Sequence, residues 1–114
     1  MTRVDRSDDP RLDPFRSMKD RDLRRETGLC LAEGEHLVRR AFEAGLVVRS
    51  VLVVEQKAER VREMIVRAGV DGVEVLTCTK TVMEEAIGFE LHQGVIAAVR
   101  PPGNRADLDA MDEV

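Results

Sequence analysis

Leu29-Cys30-Leu31-Ala32-Glu33-Gly34-Glu35-His36-Leu37-Val38-Arg39-Arg40-Ala41-Phe42 is the stretch on which the fold turns. Leu29 to Ala32 form a short apolar run, the pattern of a buried strand. Gly34 breaks that run. Leu37, Val38, Ala41 and Phe42 then share one face of a helix, and Gly45 ends it, as glycine does at helix C-termini. A strand that passes into an amphipathic helix through a glycine turn is the repeating unit of an α/β fold.

The same alternation continues outward. Val47 to Val54 is rich in β-branched residues and reads as a second strand. Val61, Met64, Ile65 and Ala68 mark the buried side of a helix over Lys57–Ala68. Val73–Thr77 reads as the third strand. The next helix carries Val82, Met83, Ala86 and Ile87; its start is either a capping box of Thr81 with Glu84 or a cap at Thr79. Gly94–Val99 is the fourth strand, entered through His92-Gln93. Upstream, Leu12, Phe15, Met18 and Leu23 recur near helical spacing, so Arg11–Arg25 reads as one or two short helices capped by Asp9 or Asp13. Continuous apolar strands are buried on both faces, which requires helices on both sides. The prediction is an α/β chain: a three-layer α/β/α sandwich around a four-stranded sheet, with strand order and sense left open. Residues 1–10 read as a frayed start, 11–100 as one folded domain, and 101–114, opened by Pro101-Pro102-Gly103, as a linker or tail.

A chain of 114 residues has room for one domain. Aromatics are 3% of it, so aliphatic side chains must fill the core. No apolar run approaches the roughly 18–20 residues that span a bilayer, and the polar start is no signal peptide, which makes the cytoplasm the expected compartment. Cys30 and Cys78 both fall in predicted strands, and no CxxC spacing points to a metal. The net charge of −4 is the wrong sign for an obvious nucleic-acid binder. Its distribution says more. Arg11 to Arg25 holds six bases against three acids, whereas the stretch after Asn104 is acidic. A polyanion would dock at the front segment.

Within that segment Lys19, Arg21, Arg24 and Arg25 are candidate phosphate contacts, since guanidinium forks match phosphate oxygens. The plain alternative is a solvated face with Asp20, Asp22 or Glu26 as partners. Glu33-Gly34-Glu35 stands where a strand meets a helix. The helix start offers unsatisfied N–H groups and a positive dipole end; the two carboxylates suit ribose or base donors better than phosphate. The plain alternative is ordinary helix-start chemistry. Arg39 or Arg40 extends the basic patch, and Gln93 either reads a base edge or ties down its loop. His36 and His92 have no second ligand at a metal spacing. No nucleophile, base and orienter occur together, and GxSxG, P-loop and GxGxxG motifs are missing, so no catalytic residue is assigned.

Arg24-Arg25-Glu26-Thr27-Gly28-Leu29-Cys30-Leu31-Ala32-Glu33-Gly34-Glu35, followed at a distance by Gln93-Gly94-Val95, resembles the N-terminal substrate-binding domain of the SpoU (TrmH-like) RNA 2′-O-ribose methyltransferases. The resemblance covers about Asp9 to Arg100. It implies a fold similar to ribosomal proteins that bind kink-turn RNA, and structured rRNA or tRNA as the partner. It also implies that S-adenosylmethionine and the chemistry belong to a C-terminal knotted domain with no counterpart here, through which the full-length enzyme could form a homodimer. This chain alone is then no enzyme. Cys30 stands where relatives commonly have an aromatic residue. Phe15, Phe42 and Phe89 look like core residues, so base stacking is poorly supplied and shape and backbone recognition are expected. A protein-interaction or dimerisation module without RNA contact is the alternative reading.

Overall fold

The computed structural model describes residues 1–16, 28–87 and 94–101. Five strands form one mixed sheet: β1 (Thr2–Arg3), β2 (Cys30–Glu33), β3 (Val47–Val54), β4 (Glu74–Cys78) and β5 (Val95–Arg100). Their spatial order is β1-β4-β3-β5-β2. β4 runs parallel to both β1 and β3. β5 runs antiparallel to both β3 and β2. β1 to β4 therefore point one way and β5 alone points back. Among the described residues four α-helices accompany them: α1 (Asp13–Arg16), α2 (Glu35–Glu43), α3 (Ala58–Ala68) and α4 (Lys80–Ile87).

The sheet has a core on each face. Val38, Ala41 and Phe42 of α2 and Val61 and Met64 of α3 pack against Val51, Val53, Val95, Ala97 and Val99. On the other face Leu12, Phe15 and the α4 residues Val82, Met83, Ala86 and Ile87 meet Leu52, Leu76, Ile96 and Ala98. This is the expected three-layer arrangement, reached with aliphatic side chains. Adjacent residues of β3 serve opposite faces, so nearly the whole strand is buried.

Local chemistry sets the element ends. α2 closes with Gly45 N–H donating to the Phe42 carbonyl and Leu46 N–H to that of Ala41, a Schellman motif. Thr79, not Thr81, caps α4: its Oγ1 accepts from Val82 N–H at 3.2 Å. Asp9, not Asp13, caps the short 3-10 turn Pro10–Leu12 ahead of α1.

The four-strand count is corrected to five. Thr2 and Arg3, expected to fray, pair with Leu76 and Thr77 of β4. Val4 follows with 1% exposure, its N–H donating to Thr77 at 2.7 Å. Two residues carry no periodicity to read. The open edge of β4 recruits them, and an ion pair between Arg3 and Glu55 pins them there.

Candidate functional site

Because four strands share one direction, their C-terminal ends collect on a single edge of the sheet, where β5 begins. In open α/β sheets this carboxyl edge is the usual place for ligands. Here it unites the two motifs that lie far apart in sequence. Glu33 is the cross-strand partner of Ile96. Gly34 N–H donates to the Val95 carbonyl at 2.8 Å, and Gly34 C=O accepts from Val38 N–H at 3.1 Å. Gly34 holds φ 100° and ψ 150°, a conformation essentially confined to glycine. The turn is thus locked to β5 on one side and to the first turn of α2 on the other.

Gly94 completes the corner. Its φ is +66°, and a Cβ there would stand 2.6 Å from Val54 Cγ2. Its carbonyl accepts from Val54 N–H at 2.9 Å. The close approach of β3 and the start of β5 requires a residue with no side chain.

The corner's polar groups divide into spent and open ones. Gly34 N–H is spent on Val95. α2 has no side-chain cap, and the amides of its first turn have no acceptor within the helix. His36 and Leu37 are exposed there, Leu37 by 51%. Glu35 takes another part. Its carboxylate accepts from Arg39 at 3.0 Å and from Arg60 of α3 at 3.2 Å. Burial pushes its pKa up, and the bonds and charges of Arg60 and Arg39 overcome that and leave it lowered. Glu35 therefore clasps α2 to α3 and remains ionised. Glu33 is exposed beside it.

The structure thus joins Glu33, Gly34, Glu35 and Arg39 at one corner, with Arg39 engaged by Glu35. Lys19, Arg21, Arg24, Arg25 and Gln93 lie outside the described residues. The attachment points of these segments are described. Gln93 precedes Gly94 at the carboxyl edge. The basic run joins at Gly28, ahead of β2 and so on the amino edge, with the four residues of β2, roughly 13 Å of extended chain, in between. Arg60 is a partner of Glu35 that sequence reasoning missed. Glu35 and Arg39 are four apart on a helix, a legible spacing, whereas Arg60 arrives from another helix.

Other groups add no chemistry. Burial, with the Glu55 charge second, pushes the Cys78 thiol up to about 11, so it stays protonated and inert. Among the described residues no three His, Cys, Asp or Glu side chains are placed to hold a metal, and no helix is long and apolar enough to cross a membrane. A groove of about 680 Å³ runs between α2 and α3, floored by Phe42, Met64 and Ala68. Its rim carries arginines and glutamates in equal number, so it has no bias toward a polyanion.

Comparison with known proteins concerns the chain as a whole. The model of the MRM3-like substrate binding domain matches residues 9–97. An uncharacterised tRNA/rRNA methyltransferase of Mycobacterium bovis is 34% identical over 97 residues, covering 82% of this chain and 33% of the relative. One from Mycobacterium tuberculosis matches equally. The chain spans about a third of the length of these relatives. The crystal structure of an rRNA methyltransferase from Sinorhizobium meliloti superposes with a TM-score of 0.70 at 21% identity, over 90% of this chain and 38% of that one. Its AdoMet-bound form gives 0.69. At that identity the likeness establishes the fold.

Proposed function

Because the chain belongs to the MRM3-like substrate binding domain family, we propose that it holds structured rRNA or tRNA, in the cytoplasm, for a 2′-O-ribose methyltransferase of the SpoU type. S-adenosylmethionine and the methyl transfer then belong to sequence corresponding to the other two-thirds of such relatives. The observation that carries this reading is the match of residues 9–97 to a substrate-binding family whose relatives bear tRNA/rRNA methyltransferase names.

The physical features agree with it. Six bases between Arg11 and Arg25 give an acidic chain a locally basic stretch of sequence. The uncapped start of α2, beside a corner made of two glycines, lets a ribose or phosphate approach backbone amides closely. Phe15 and Phe42 are buried, so they offer no platform for stacking. Recognition of shape and backbone follows, with affinity that depends on salt.

The test is a salt titration of RNA binding by the whole chain and by Arg24→Ala/Arg25→Ala. If both arginines touch phosphate, the log–log slope falls by roughly one to two units. An unchanged slope removes them from the interface. The balanced α2–α3 groove, with Val66 70% exposed on α3, favours a second reading, a protein-docking or dimerisation module. That reading expects no RNA retention at low salt and a mass that rises with concentration in light scattering.

A further inference from the structure

β3 is the central strand and is covered on both faces, yet it contains an exposed arginine. Arg49 lies between Val48 and Ser50, which are 5% and 8% exposed. The ladder with β5 explains this. Val48 pairs with Val99 and Ser50 with Ala98, so Arg49 is the extra residue of a β-bulge. The bulge reverses the alternation. Val48 packs on the α2–α3 side and Leu52 on the other, although an unbroken strand would put both on one face. Bulges re-aim a side chain out of the ladder, and here the side chain is a guanidinium at the amino edge of the sheet.

Arg100 ends β5 beside it. It is exposed and is the register partner of Val47, two residues from Arg49. Diagonal cross-strand neighbours, two residues off register, are about 7–8 Å apart. Most described arginines are engaged with carboxylates, as Arg3, Arg6, Arg11, Arg16, Arg39, Arg60 and Arg62 are. No ion pair engages Arg49 or Arg100 among the described residues. Glu74, opposite Ser50, is an acid of this edge, and its field reaches Arg11. One strand further on, Cys30 pairs with Val99, so β2 begins beside the end of β5.

We propose that Arg49 and Arg100 form a phosphodiester-binding pair at the amino edge, a contact with structured RNA separate from the Gly34–Gly94 corner. Phosphates follow one another closely along any nucleic-acid strand, so two guanidinium forks on neighbouring strands can each take one. The bulge is what allows an arginine to stand within a buried strand and still reach solvent. This inference rests on the RNA-holding reading and extends it to the opposite edge.

The experiment compares the native chain, R49Q/R100Q, R49K/R100K and a control, R6Q/R62Q, each binding fragments of bulk ribosomal RNA over a range of salt. The control removes the same charge elsewhere, and circular dichroism checks folding throughout. R49Q/R100Q is expected to lose about one and a half units of log–log slope, at roughly 0.7–0.9 per phosphate contact. The lysine pair keeps most of the slope, and the control stays near native. A native slope in R49Q/R100Q, or an equal loss in the control, overturns the amino-edge site and leaves the RNA reading standing. No salt-sensitive retention by the native chain overturns both.

Discussion

At Gly94 two constraints coincide, and either alone would disfavour a side chain. The φ of +66° is costly for an L-residue, and Val54 Cγ2 occupies the place of a Cβ. Gly94→Ala is expected to destabilise the chain by about 1–3 kcal/mol, seen as a lower urea midpoint with an unchanged m-value. Gly69→Ala meets open space at a similar φ and should cost less in the same titration. Asp9 is a residue whose charge matters in acid. Side-chain and backbone bonds from Arg11 lower its pKa from 3.8 to about 2. A lowered folded pKa contributes stability above the unfolded value and loses it as pH falls through the folded one. Stability should therefore drop between about pH 4 and pH 2, and Asp9→Asn should shrink that drop in acid-denaturation curves. An acid limb identical in the variant would remove Asp9 from the account. Some of this residue chemistry is legible in the sequence: Glu35 and Arg39 are four apart on a helix. Arg60 is not, because its approach to Glu35 depends on how α3 lies against α2.

Helices and strands were readable wherever periodicity ran long enough. α3 shows its buried stripe directly, and β3 shows its β-branched run. β1 was not readable, because two residues carry no pattern and their pairing is set by the free edge of β4. The bulge at Arg49 was equally hidden. Val47-Val48-Arg49-Ser50-Val51 reads as a strand with or without it, and only the register against β5 reveals the extra residue. The start of α4 offered two caps, and Thr79 prevails. Its hydroxyl is three residues before Val82, where an orphan amide needs an acceptor.

Over the whole molecule, the sheet is the wall shared by two cores. Leu52, fully buried on one face, and Val51 and Val53, fully buried on the other, are neighbours in one strand. Damage to either core loosens the wall of its neighbour. Leu52→Ala is expected to cost about 2–5 kcal/mol and to lower one cooperative transition, rather than split it, when followed by fluorescence of a dye and by circular dichroism. Two separated transitions would show that the layers fold independently. Hydrophobic periodicity, present in the chain itself, determined the alternation of strands and helices, the two-sided burial of the sheet and the glycine corners. Strand order, the antiparallel sense of β5 and the opposition of the two edges came from tertiary structure alone. They depend on which backbone edges pair across long sequence separations, and a local pattern of side chains does not encode that choice.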